Sequence, residues 1–383
     1  MSGGETFDFV APPQNDLARI LARRIEANGP ISVADYMAEA LGHPEFGYYR
    51  GKDPFGAAGD FTTAPEISQM FGELIGLWCA NAWLALGKPT PFLLAELGPG
   101  RGTLMADALR ALDTVPACRA AARVHLIENS PSMRECQRQT LADIDVIWHD
   151  AVDDLPMAPA IFIANEFFDA LPVEQFVRHG AGWHQRLVGL SGSGTELVFT
   201  QAPKPSPVDD LPAAASGSAE AGAIVEISPV AQQIAGEIAH RIRSHTGAAL
   251  IVDYGYTAAA IGDTLQAVRQ HGYASVLEHP GDADLTAHVD FGALAESVRA
   301  AGAACWGAIP QDEFLRRLGI EARAGTLAAA AAPEQKTDIE TALQRLIGGD
   351  QMGILFKVLA IVPRAAGPPA GFLSQEARVN RCV

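Results

Sequence analysis

Cysteine is scarce and unpaired in this chain. Cys79, Cys118, Cys136, Cys305 and Cys382 are odd in number, widely scattered and form no Cys-x-x-Cys pair. That spacing indicates neither a disulfide framework nor a zinc site, so they read as free thiols, mostly buried. Long apolar runs are also missing, and none approaches the roughly 20 residues of a membrane-spanning helix. Positive charge is in deficit: 28 Lys and Arg stand against 45 Asp and Glu, for a net charge of −17. Such a balance repels a phosphate backbone, so no nucleic-acid partner is expected. It accommodates a cationic or neutral substrate, although acidity for solubility accounts for it as well. Among ten histidines there is no His-Glu-x-x-His, and His271, His279 and His288 lie at loop spacings without cysteine support, so no metal is expected. Neither a Gly-x-Ser-x-Gly elbow nor a Walker loop occurs. Residues 1–13 carry neither an export signal nor an arginine-rich presequence, which makes a cytoplasmic protein the expectation.

What is present is ordinary globular text, 48% apolar and 19% charged over 383 residues, enough for one large domain with insertions or two domains. Residues 16–83 are mainly helical in pattern, with Leu17, Ile20, Leu21 and Ile25 at helix spacing and Phe71, Leu74, Ile75 and Trp78 repeating it. Between them, residues 42–63 are rich in glycine and proline, beyond what a simple connector requires. From Pro91 short apolar runs alternate with helical segments, the mark of a parallel sheet with crossover helices. Strands are expected over 92–96, 124–128, 146–148 and 161–164, with helices opening near Gly102 and Ser130. Residues 173–200 read as a hairpin excursion and 204–221 as a loop. The alternation resumes with a strand at 224–227, a helix over 229–245 and strands at 248–253, 304–309 and 354–362. The expected architecture is α/β: a Rossmann-like, seven-stranded sheet over 91–365 with insertions at about 173–222 and 256–345. It is preceded by a helical and lid region over 1–90 and followed by a tail over 366–383.

The chemistry concentrates after the first sheet strand, in Glu96-Leu97-Gly98-Pro99-Gly100-Arg101-Gly102-Thr103-Leu104. Glycines there let the backbone turn sharply and approach a ligand at the carboxyl end of the strand. A dinucleotide fingerprint would place a third glycine where Thr103 stands, and the acidic Glu96 disfavours pyrophosphate while suiting the cationic methionine end of S-adenosylmethionine. The second strand ends at Glu128, followed by Asn129, where a carboxylate can hold ribose hydroxyls. Asp150, ending the third strand, is the candidate for the adenine amino group. After the fourth strand, Asn165-Glu166-Phe167-Phe168-Asp169 sets amide and carboxylate oxygens beside the expected methyl donor, where they can hold a nucleophilic nitrogen in line. Phe167 and Phe168 read partly as core. A class I methyltransferase using S-adenosyl-L-methionine is therefore expected. A nicotinamide-dependent oxidoreductase is disfavoured by Thr103, and a catalytically silent assembly protein that keeps a cofactor pocket stays open.

These segments together resemble the MidA-like methyltransferase family, whose mitochondrial members are complex I assembly factors that dimethylate a protein arginine. The resemblance is carried by the stretch from Gly59-Asp60-Phe61-Thr62-Thr63-Ala64-Pro65-Glu66 through Gln69 to Gly72, by Glu96 to Leu104 and by Asn165 to Pro172. Asp253-Tyr254-Gly255, Leu285 to Phe291 and Met352-Gly353 to Lys357 add to it. It implies a protein substrate with arginine as acceptor, a respiratory-complex subunit among the candidate partners, and a lid made by 59–69 over the cofactor. The expected cofactor residues are Asp60, Thr62, Thr63, Gln69, Glu96, Gly98, Gly100, Gly102, Thr103, Glu128, Asn129, Asp150 and Asn165. Glu66, Asn165, Glu166 and Asp169 are the expected catalytic groups. The departure from the family pattern is Gly262-Asp263-Thr264-Leu265 and onward to His271, which leaves substrate identity open.

Overall fold

The computed structural model describes residues 15–51, 62–180, 182–192, 194, 196–207, 211, 215, 219–258, 260–270 and 272–378. Residues 1–13, Asp60, His271 and Cys382, all read above, lie outside that set, as do the rest of 52–61 and parts of 208–218.

The chain opens with helix α1 (Asp16–Asn28), the short strand β1 (Ile31–Ser32), α2 (Val33–Gly42) and a single turn, α3 (Tyr48–Gly51). Asn15 and Ser32 cap α1 and α2 through side-chain oxygens, each satisfying a backbone N–H that helix geometry leaves unpaired. Next come the short α4 (Ala64–Ile67) and the long α5 (Gln69–Ala85), most of whose residues are buried.

The alternating part follows as β2 (Phe92–Leu97), α6 (Thr103–Leu112), α7 (Pro116–Ala121), β3 (Ala122–Ile127), α8 (Pro131–Thr140), β4 (Val146–His149) and β5 (Ala160–Asn165). An excursion of β6 (Glu174–His179), β7 (Gly182–Leu190), β8 (Leu197–Gln201) and β9 (Ile224–Ile227) leads to α9 (Pro229–His245) and β10 (Gly247–Tyr256). A second excursion holds β11 (Gln266–Arg269), β12 (Gly272–Ala274), β13 (Asp284–Thr286) and β14 (Val289–Asp290). The chain returns through α10 (Phe291–Ala300), β15 (Ala304–Pro310), α11 (Gln311–Leu318), α12 (Ile320–Ala330), α13 (Pro333–Ile347), α14 (Met352–Leu355) and β16 (Phe356–Val362).

The main sheet runs β15-β16-β10-β5-β2-β3-β4, parallel except for β16, which is antiparallel to both neighbours. This is the α/β order of a class I methyltransferase. Its inner strands β2, β5, β10 and β16 are buried on both faces, as crossover helices demand. Phe92 and Leu94 of β2 join the core under α5 and α6, while Leu93, Ala95 and Leu97 join the core under α9 and α10.

The 224–227 strand does not enter this sheet. It pairs antiparallel with β6 in a second sheet, ordered β1-β7-β6-β9 with β8 beside β7. Residues 354 and 355 are helical, so the last strand begins at Phe356. The N-terminal helices bury Leu17, Leu21, Tyr36 and Met37 against Val188, Leu197 and Leu285 of the excursions, forming a subsidiary core. Successive crossovers leave β2 toward β3 on one side, while β5 returns on the other side. Between β2 and β5 the strand order therefore reverses, the place where open α/β sheets bind ligands.

Candidate active site

A cleft lies at that reversal, lined by Thr63, Pro65 and Glu66 of the α4 segment, by Glu96 and the glycine loop, and by Asn165 and Glu166. Gly98, Gly100 and Gly102 all have positive φ, at 58°, 52° and 84°. At Gly98 the need for glycine is double, because a Cβ would lie 2.8 Å from Cδ2 of Phe167. Gly102 precedes the first residue of α6, Thr103, whose hydroxyl donates to Oε1 of Glu66 at 2.6 Å. That bond holds α4 over the loop.

Glu96 is the single polar residue of β2 and is 2% exposed. Its Oε2 has no partner among the described residues, and burial pushes its carboxyl up to about 8. Asn165 ends β5 with Oδ1 likewise unpartnered, while its amide donates to Oε1 of Glu166 at 3.0 Å. Two orphaned buried acceptors on one cleft mark a place built for a donor or cation. They fit the cationic end of S-adenosylmethionine.

Glu166 has a φ of 48°, unusual for a residue with a Cβ, and its Oε1 also accepts the N–H of Ala64 at 2.8 Å. Burial raises its carboxyl to about 7, a rise that the Ala64 N–H opposes and Asp169 reinforces. Asp169 is 6% exposed; burial lifts it to about 6 against the opposing Tyr254 hydroxyl. No Lys or Arg among the described residues forms an ion pair with Glu96, Glu166 or Asp169.

Glu128, at the end of β3, has both carboxylate oxygens engaged. Oε1 accepts the Ser130 N–H at 2.7 Å, and Oε2 the Gln137 amide at 3.3 Å. Burial raises its pKa, opposed by those two donors. Other expected residues sit apart from the cleft. Asn129 is exposed, with its carbonyl taken by Arg50. Gln69 is exposed at the start of α5. The Thr62 carbonyl accepts from Arg345. Asp150 points to solvent, 78% exposed, in an ion pair with Arg134 at 2.7 Å. Phe168 is core, and Phe167 is half-buried over Gly98.

Three residues outside the expected set join the site. Gln137 is fully buried; its amide also donates to the Gly100 carbonyl at 2.8 Å, and its Oε1 accepts from Trp148. It thus ties the glycine loop to Glu128. A polar side chain between Met133 and Leu141 on the covered face of α8 is the signal that could have found it. Asp253, fully buried within β10, gathers the turn after β5. Tyr49 donates to Asp284 at 2.9 Å, and its carbonyl accepts from Ser130 at 2.6 Å, so it links the α8 end of the site to β13. The departure segment is part of the second sheet's polar network, with Asp263 paired to Arg186 and the Thr264 hydroxyl bonded to Glu226.

Residues 74–309 match a family model described as an S-adenosyl-L-methionine-dependent methyltransferase. The mitochondrial protein arginine methyltransferase NDUFAF7 of Danio rerio is 37% identical, across 90% of this chain and 86% of the relative. The Homo sapiens protein of that name is 35% identical, across 92% and 84%. A Burkholderia thailandensis protein crystallised with S-adenosyl-homocysteine superposes with a TM-score of 0.82 at 29% identity, covering 93% of this chain and 94% of that one. The expected cytoplasmic location is corrected by the NDUFAF7 relatives, which are named as mitochondrial. An unrecognised targeting pattern in a sequence does not specify a compartment.

Proposed function

Given that this chain belongs to the family of S-adenosyl-L-methionine-dependent methyltransferases, we propose that it methylates an arginine side chain of a protein, with Glu166, Asp169 and Glu66 receiving the guanidinium. The observation that carries this reading is a cleft lined by Glu66, Glu96 and Glu166, with the buried Asp169 on the same turn as Glu166, where no Lys or Arg among the described residues forms an ion pair with Glu96, Glu166 or Asp169. Burying carboxylates unpaired is unfavourable unless a ligand brings the counter-charge. The relatives named as protein arginine methyltransferases supply the acceptor type. The resemblance to complex I assembly factors makes a respiratory-complex subunit the candidate partner.

S-adenosylmethionine, when bound, supplies an electrophilic methyl group on a sulfonium. Glu96, Asn165, the three loop glycines and Glu128 are the residues proposed to hold it, and Thr103 with Glu66 to close α4 over it. Arginine keeps its charge in proteins and presents a planar fork of donors. A nitrogen of that fork becomes nucleophilic as it loses a proton, and the Glu166 carboxylate takes that proton. Asp169 orients the fork, and α4 excludes water. With the Glu166 carboxyl at about 7, turnover rises with pH through neutrality and levels above it, because only the ionised form accepts a proton.

The test uses methyl-labelled cofactor with protein extract from cells lacking the chain, followed by mass spectrometry of the labelled residue. Label on arginine is expected, and Glu166→Gln abolishes it while S-adenosylhomocysteine affinity stays within about threefold. Unchanged turnover in Glu166→Gln removes that residue from the mechanism. Cofactor binding with no labelled product in any extract points instead to a silent assembly protein.

A further inference from the structure

We propose that Asp253 is a positioning residue for methyl transfer: its carboxylate holds the turn from Asn165 to Asp169 in the backbone form that delivers Glu166 to the cleft. The inference rests on the reading of Glu166 as the acceptor-side base.

The parallel register of β10 on β5 pairs Val252 with Asn165, so Asp253 follows directly beside the turn. The Glu166 N–H continues the ladder to the Val252 carbonyl at 2.9 Å. Beyond it the backbone turns back, and three consecutive N–H groups converge on one oxygen. Phe167, Phe168 and Asp169 donate to Oδ2 of Asp253 at 3.2, 2.9 and 3.2 Å. The other oxygen accepts the Tyr254 N–H at 2.9 Å, which fixes the carboxylate plane. Successive amides folded around an anion form a nest, and a nest needs a left-handed residue within or beside it. Glu166 is that residue. A glutamate persists at positive φ only where its surroundings hold it there, and here the holding group is one buried carboxylate.

Position and proton affinity are joined in the same contact. The charged and titratable groups around this turn are Asp169 on the turn, Asp253 and Tyr254 on β10, Glu66 on α4, Glu96 on β2 and Arg345 on α13. Asp253 is raised well above its ordinary value by burial first, then by Asp169 and Glu166. Burial is the first cause of the raised Glu166 carboxyl, so a turn released from the nest, with Glu166 less enclosed, lowers the proton affinity of Glu166. A residue that only braced the fold would leave that affinity unchanged.

Asp253→Asn keeps the side-chain shape and one carbonyl oxygen for the nest, and sets an amide where the second oxygen accepted. Labelled methyl transfer to protein extract is measured from pH 5.5 to 9, with S-adenosylhomocysteine affinity by calorimetry and circular dichroism as a check on folding. The expected result is kcat at least about tenfold lower, S-adenosylhomocysteine affinity within about threefold, and the acid limb moved down by about half a pH unit or more. Asp253→Ala, which empties the nest, is expected to lose more turnover. If it fails to fold, Asp253→Asn carries the test alone. Wild-type kcat and acid limb in Asp253→Asn, with Glu166→Gln inactive, overturn the positioning role and leave Glu166 in place. So does a parallel loss of turnover and cofactor affinity with an unmoved acid limb. Full turnover in Glu166→Gln overturns the reading beneath it and this inference together.

Discussion

Replacing Gly98 by alanine adds one methyl group at the point where the glycine loop meets the turn after β5. The backbone there has φ 58°, and a left-handed residue with a Cβ costs about 1–2 kcal/mol. The new methyl also lands 2.8 Å from Cδ2 of Phe167, and relieving such a contact costs about 1–3 kcal/mol more. Without ligand, the loop can relax out of the left-handed form and lose part of this strain. Binding requires its return, so at least the backbone part appears in affinity. At about 1.4 kcal/mol per tenfold, S-adenosylhomocysteine should bind about 5- to 30-fold more weakly. Calorimetry on wild type and Gly98→Ala, with circular dichroism as a check on folding, measures this. Affinity within about twofold in a folded variant would show that the loop does not need its left-handed form to bind, and would refute the assignment.

Glu96 gives a prediction with a sign. Its folded carboxyl is raised by burial to about 8 from an ordinary value near 4.5, so the native state binds more protons than the unfolded chain between those values. Ligand-free stability therefore falls as pH rises through that window. Glu96→Gln should melt higher than wild type at pH 8 by denaturant titration, with the gap closing toward pH 4.5, and a pH-independent gap contradicts the burial argument. A cation entering beside Glu96 also draws off its proton, so wild-type affinity for S-adenosylmethionine should rise between pH 6 and 8 and that of Glu96→Gln should stay flat. Thr103→Val removes the hydroxyl that holds Glu66. For a half-exposed bond to a charged group, about 1 kcal/mol is expected, or about fivefold weaker S-adenosylhomocysteine binding with thermal stability nearly unchanged. Equal binding by calorimetry would mean that α4 is held by other contacts.

The main sheet is legible because its strands carry their own text: Phe92-Leu93-Leu94-Ala95 is buried on both faces, and a continuous short apolar run is what such burial requires. The same text misplaces 224–227. Ile-Val-Glu-Ile suits a covered strand of either sheet, and its pairing with β6 is a contact across about 50 residues that no local pattern encodes. The site divides in the same way. Glu96, the glycine loop and Asn165-Glu166 stand at strand ends, where the fold class places ligands, so their positions follow once the strands are known. Asp150 also stands at a strand end, yet it is exposed and paired with Arg134 of α8, and spacing along one strand does not reveal a neighbour on the preceding helix. The reverse holds for Asp253. A buried acid inside a strand reads as an anomaly until three N–H groups, separated from it by 84 to 86 residues, are seen to converge on one of its oxygens. The bond from Ala64 to Glu166 spans 102 residues and joins a short helix to a left-handed turn. Residue types at either end are ordinary; their meeting is a property of the sheet order, which sets β5 beside β2 and so brings the turn after β5 to the loop that α4 covers.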